Sequence, residues 1–162
     1  DIYVYGTAIG KSLETPTIVA KEENTKISFG GAGLVAQNML ELGTKVSFVS
    51  VVGNDKESKH YKKFSHKNLD KNFVVDDSRI TTIKKRFWID GYKLLQIDSL
   101  DNRDIDNIVF KKVSQAIEKK IRHADLIVVS DYRHGLMTKK LIDFVKKNSD
   151  KNKKKLFVDS QI

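Results

Sequence analysis

The sequence contains no cysteine, which excludes a disulfide scaffold and any thiolate metal site and fits a reducing, cytoplasmic setting. It has a single proline, and its longest apolar runs, residues 126–129 and 46–52, fall far short of the roughly 20 residues that span a bilayer. Neither a membrane segment nor a signal peptide is read. Four histidines without ligand spacing leave no zinc site, and no metal is expected. Basic residues interleaved with stacking aromatics are also lacking, so no nucleic-acid partner is expected from the formal charge of +9. The lysines fall on the polar faces of helical stretches at residues 56–71, 111–120 and 139–155, where they read as a solvated surface that also suits an anionic small molecule.

What is present is enough apolar material, 40% over 162 residues, for one soluble domain with a core of its own. No repeat or low-complexity linker breaks the chain. Helical spacing of Ala32, Val35, Ala36, Met39 and Leu42 predicts a helix over 32–42 closed by Gly43, followed by a buried strand ending at Val52. Asp55 precedes a polar helix over 56–68, with Tyr61 and Phe64 on its inner face. Two extended runs flank Asp90-Gly91, a dipeptide that accepts the positive φ values of a type I′ turn, and predict a hairpin over 80–98. A helix follows over 104–121, a strand over 125–130, a helix from Thr138 through Val145, and a strand over 156–158. The alternation predicts an α/β layered core with parallel strands, with residues 3–29 and the hairpin forming a separate β element.

In open α/β sheets ligands gather beyond the carboxyl ends of the strands. Gly30-Gly31-Ala32-Gly33 opens a helix after an extended segment and offers backbone amides and a helix dipole to a hydroxyl or an anion; equally, it could serve only as a turn. It has the spacing of neither a dinucleotide fingerprint nor a Walker loop. Ser130-Asp131-Tyr132-Arg133-His134-Gly135 follows a strand and could handle a phosphorylated or hydroxylated ligand, or form a turn. Asp159-Ser160 ends the last strand.

The stretch from Gly30 through Gly43, continuing over Val46 to Asp55, resembles the first signature of the ribokinase/PfkB carbohydrate kinases. Three further segments are similar to that family in the same order. These are Asp1-Ile-Tyr-Val-Tyr-Gly6, then Thr81-Thr-Ile-Lys-Lys-Arg86 with Leu94-Leu-Gln-Ile-Asp98, and then Ser130-Asp-Tyr-Arg-His-Gly135, the last two resembling the heptose 7-phosphate kinase branch.

The resemblance implies a ribokinase-like Rossmann-type layered core, partial in this chain, over about 30–79 and 99–162. A small β-sheet lid over about 1–29 and 80–98 would close over the sugar and pair two subunits as a homodimer. It implies ATP-dependent phosphorylation of a sugar or sugar phosphate. Substrate binding is expected at Asp1, which matches the acid that holds sugar hydroxyls, at Gly30, Gly31 and Asn38 of the glycine signature, at Lys84 and Arg86 for a sugar phosphate, and at Asp131. Leu34 stands where the family has Asn, Arg133-His134 where it has Gly-Lys, and Asp159-Ser160-Gln161 where it has Asp-Pro-Lys, so the substrate is expected to differ from heptose 7-phosphate. The family's Gly-Ala-Gly-Asp catalytic segment is not in these residues. No catalytic residue is expected in this chain, and ATP and Mg²⁺ are implied only for a complete enzyme, of which this would be the N-terminal half. The alternative is a non-catalytic sugar-binding or oligomerisation module.

Overall fold

A computed structural model describes residues 1–160. Its elements in chain order are β1 (Ile2–Lys11), β2 (Ile18–Ile27), α1 (Ala32–Glu41), β3 (Val46–Val52), α2 (Lys56–Lys63), β4 (Leu69–Val75), β5 (Ile83–Ile89), β6 (Tyr92–Ser99), α3 (Asn107–Ile121), β7 (Leu126–Asp131), α4 (Lys139–Lys151) and β8 (Lys155–Ser160). They divide into two units: the first holds residues 1–29 and 83–99, the second residues 30–82 and the chain from Leu100 onward.

The first unit is a four-stranded sheet in the order β2-β1-β5-β6. β1 pairs antiparallel with β2 and parallel with β5, and β5 pairs antiparallel with β6. The predicted turn forms at Asp90 and Gly91, with φ of 49° and 80°, both positive as a type I′ turn requires. It is fastened to β1: the Asp90 amide donates to the Gly6 carbonyl at 3.1 Å, and the Ala8 amide donates to the Asp90 carboxylate at 3.2 Å.

The second unit is α/β, with β3 parallel to β4 and β7 parallel to β8. Among the described residues no ladder joins the two pairs. Its core forms where the apolar faces of α3 and α4 meet the strands. Ile105, Val109, Val113, Val129, Leu141 and Val145 are buried together, with Val49, Val51 and Val74 packed against them. The Phe110 and Phe144 rings meet edge to face at 6.1 Å, bracing the two helices against each other.

α2, β4 and α4 depart most from the sequence expectation. α2 stops at Lys63, where Phe64 turns to an extended ψ of 130°, and the Lys71 ammonium donates to the Lys62 and Phe64 carbonyls that the helix end leaves open. β4, for which no strand was expected, pairs in full register with β3 despite Asp70, Lys71 and Asn72. α4 runs past Val145 to Lys151 because its buried polar residues find backbone partners. The Asn148 amide donates to the Phe144 carbonyl at 2.9 Å, and the Ser149 hydroxyl donates to the Lys154 carbonyl at 2.6 Å.

Candidate functional site

Among the described residues, three of the four helices begin on a side-chain cap: Asp55 accepts from the Ser58 amide, Asp106 from the Val109 amide and Thr138 from the Leu141 amide. α1 begins instead on Gly31, whose side chain cannot cap, at φ 52° and ψ −133°. That combination of φ and ψ favours glycine, and a Cβ built at Gly31 would lie 3.1 Å from the Tyr132 ring. Gly30 accepts from the Gly33 amide at 3.0 Å, which folds the turn tightly. No side chain caps the start of α1; the Gly33 and Leu34 amides are taken by the Gly30 and Gly31 carbonyls. Asn38 lies further along α1 and is exposed, as is Leu34 in the first turn at 48%.

Asp131 closes β7 opposite Ser160, its register partner on β8. One carboxylate oxygen accepts from the Arg133 amide at 2.8 Å and the other from the Ser160 hydroxyl at 3.0 Å, so Asp131 ties the carboxyl ends of two strands together. Gly135 follows at φ 73°, with its carbonyl accepting from the Ile105 amide at 3.0 Å.

In the first unit the Arg86 guanidinium lies 2.9 Å from the Asp1 carboxylate, to which the Tyr3 hydroxyl also donates at 3.3 Å. Arg86 lies over the Tyr3 ring at 5.4 Å. The structure therefore brings Asp1 and Arg86 together as a largely buried pair. Lys84 faces its cross-strand partner Asp98 at 3.9 Å. Both basic hairpin residues thus carry a carboxylate neighbour.

Residues 77–80 and 100–103, which sequence reading did not single out, line a cleft of about 490 Å³. Burial pushes the Asp76 carboxyl up, but hydrogen bonds from the Ser78 hydroxyl and amide and the Arg79 guanidinium outweigh it and hold it below 3.8. Asp55 behaves alike. Burial raises it, while the Thr81 and Ser58 amides, the Thr81 hydroxyl and the charge of Lys62 bring it lower. The Arg103 guanidinium beside Asp101 holds that carboxyl down at about 2. The signal in the sequence was Asp76-Asp77-Ser78, an Asx-turn pattern.

Among the described residues no group of three or more histidine or acidic side chains could hold a metal ion.

The whole length of this site and its scaffold matches known proteins. The model of the pfkB family of carbohydrate kinases matches residues 1–161. The bifunctional protein HldE of Aliarcobacter butzleri is 32% identical over 161 residues, covering 98% of this chain and 34% of that protein. The HldE of Helicobacter acinonychis is 28% identical, covering 98% of the chain and 35% of its own length. The chain thus spans about a third of the curated relatives it matches. Among solved structures, Escherichia coli phosphofructokinase-2 in complex with fructose-6-phosphate superposes with a TM-score of 0.68 at 15% identity, over all of this chain and 52% of that one. Ribokinase from Giardia lamblia gives a TM-score of 0.62 at 13% identity, over 98% and 48%. With a family model matching from the first residue to the penultimate one, the chain belongs to the pfkB family of carbohydrate kinases.

Proposed function

We propose that this chain is the sugar-binding portion of an ATP-dependent kinase, similar to the heptose 7-phosphate kinases, that phosphorylates a sugar or sugar phosphate, working in the cytoplasm as a homodimer. The observation that carries the reading is the start of α1, which has a glycine turn and no side-chain cap where the other helices have one. Ligand hydroxyls would accept from the amides of that turn, and the Asp1 carboxylate would accept from others. Arg86, and Lys84 beside it, would meet a phosphate by exchanging their present carboxylate neighbours for it. Asp131 would act from the end of β7, and Asn38 from α1. ATP and Mg²⁺ belong to the complete enzyme, and no catalytic step is assigned to residues of this chain. Leu34, apolar and exposed in the first turn of α1, favours a second reading, a sugar-binding or oligomerisation module without catalysis.

Titration of the isotopically labelled chain with sugar phosphates, followed by amide shifts, tests the binding reading. Saturable shifts are expected at Gly31, Ala32 and Tyr3, and a coupled assay should show no ATP consumption above a mock preparation. Saturable binding that leaves these amides unmoved would refute the site. Turnover by the chain alone would refute the assignment of catalysis elsewhere.

A further inference from the structure

Arg79 has no part in the proposed sugar site, yet its side chain is only 8% exposed and that of its ion-pair partner Asp76 only 5%. A buried guanidinium persists only when its donors are satisfied, and these are spent on three separate segments. Nε donates to the Asp76 carboxylate at 2.7 Å, Nη1 to the His134 carbonyl at 3.3 Å and Nη2 to the Arg103 carbonyl at 3.1 Å. Arg103 returns the tie, its own Nη2 donating to the Ser78 carbonyl at 2.7 Å. The Ile105 amide then donates to the Gly135 carbonyl at 3.0 Å, joining the segment after Arg103 to the loop after β7. Beyond Arg79, Thr81 is buried, with its amide donating to Asp55 at 2.7 Å and its hydroxyl at 2.8 Å.

The chain passes between the two units after Phe29, after Thr82 and after Ser99. The second passage leaves the second unit, and the third re-enters it, beside the segments that Arg79 and Arg103 cross-tie. We propose that Arg79 is a positioning residue, a buried clamp that makes the roots of these two passages and the loop after β7 one body. A planar fork is needed for this, because a lysine in the same place keeps the charge opposite Asp76 but cannot reach two further carbonyls in fixed directions. The inference stands on the second unit's own contacts and does not depend on the sugar reading.

Residue-resolved hydrogen exchange on the whole 162-residue chain tests it, comparing wild type with Arg79→Lys and Arg79→Met. In Arg79→Lys, exchange at Arg103 and Ile105 should accelerate about 10-fold or more, while Ser78, held by Asp76, and Ile142 in α4 stay within about 2-fold. In Arg79→Met, Ser78 should accelerate as well. Unchanged exchange at Ile105 in Arg79→Lys would overturn the clamp. Equal acceleration at Ile142, or loss of the folded spectrum in Arg79→Lys, would also overturn it, because Arg79 would then be a general stabiliser of the core. If Arg79→Met does not fold, the pattern in Arg79→Lys decides alone.

Discussion

At the scale of single residues, carboxylates do two kinds of work in this chain. The Asp1 side chain, 15% exposed, meets Arg86 and Tyr3, and in the proposed site it would accept from a ligand hydroxyl beside them. Replacing it by asparagine removes a charged acceptor while keeping the shape. Asp1→Asn should weaken sugar phosphate binding by about 1.5–3 kcal/mol, read by calorimetry, with the fold unchanged. Equal affinity in the two proteins would remove Asp1 from the site. Asp55, Asp76 and Asp101 hold backbone and guanidinium donors instead, and all three lie below the ordinary carboxylate value. A carboxyl depressed in the folded state contributes stability that is fully present above its unfolded value, near 3.8, and is lost as pH falls through the folded value. The urea midpoint should therefore fall between about pH 6 and about pH 3, and Asp76→Asn, already destabilised, should show a shallower fall. A variant whose pH dependence matches wild type would mean that Asp76 is not among the groups responsible.

At the scale of elements, two glycines of similar φ separate backbone strain from crowding. Gly91 sits at φ 80° with nothing within 4 Å of an added Cβ, whereas at Gly135, φ 73°, a Cβ would fall 1.9 Å from the Arg103 carbonyl. Gly91→Ala should cost only the left-handed penalty, about 1–2 kcal/mol. Gly135→Ala must also push the loop after β7 off the segment at Arg103, and should cost more than about 3 kcal/mol by urea unfolding. Similar losses in the two would mean that the loop yields freely. The hairpin around Asp90-Gly91 was legible because one dipeptide carries its own φ requirement. The start of α1 was legible because small residues cluster ahead of a periodic apolar face. β4 was not, since Asp70, Lys71 and Asn72 disfavour a strand and only pairing with β3 compensates. Nor were the Arg79 ties, which join residues 24 and 55 positions apart through backbone carbonyls that leave no mark in side-chain pattern.

At the scale of the molecule, the chain organises its apolar surface differently in its two units. The second buries a contiguous core between helices and strands. The first is a single sheet whose outer strands, β2 and β6, are exposed along their whole length. An open edge invites pairing unless charge blocks it. β2 carries Lys21, Glu22, Glu23 and Lys26, enough to discourage a partner. β6 carries Leu94, Leu95 and Ile97, each about half exposed, and only Lys93 and Asp98 are charged. A second copy is therefore expected to meet β6 rather than β2. Light scattering at high micromolar concentration should give twice the 18.5 kDa chain mass. Leu95→Lys with Ile97→Lys, two residues on one face of β6, should return the mass to that of one chain with unchanged circular dichroism, because a desolvated charge at the interface costs more than the lost contacts alone. A doubly charged variant that remains dimeric would place the contact elsewhere, and a wild-type monomer at that concentration would remove the lid as an interface.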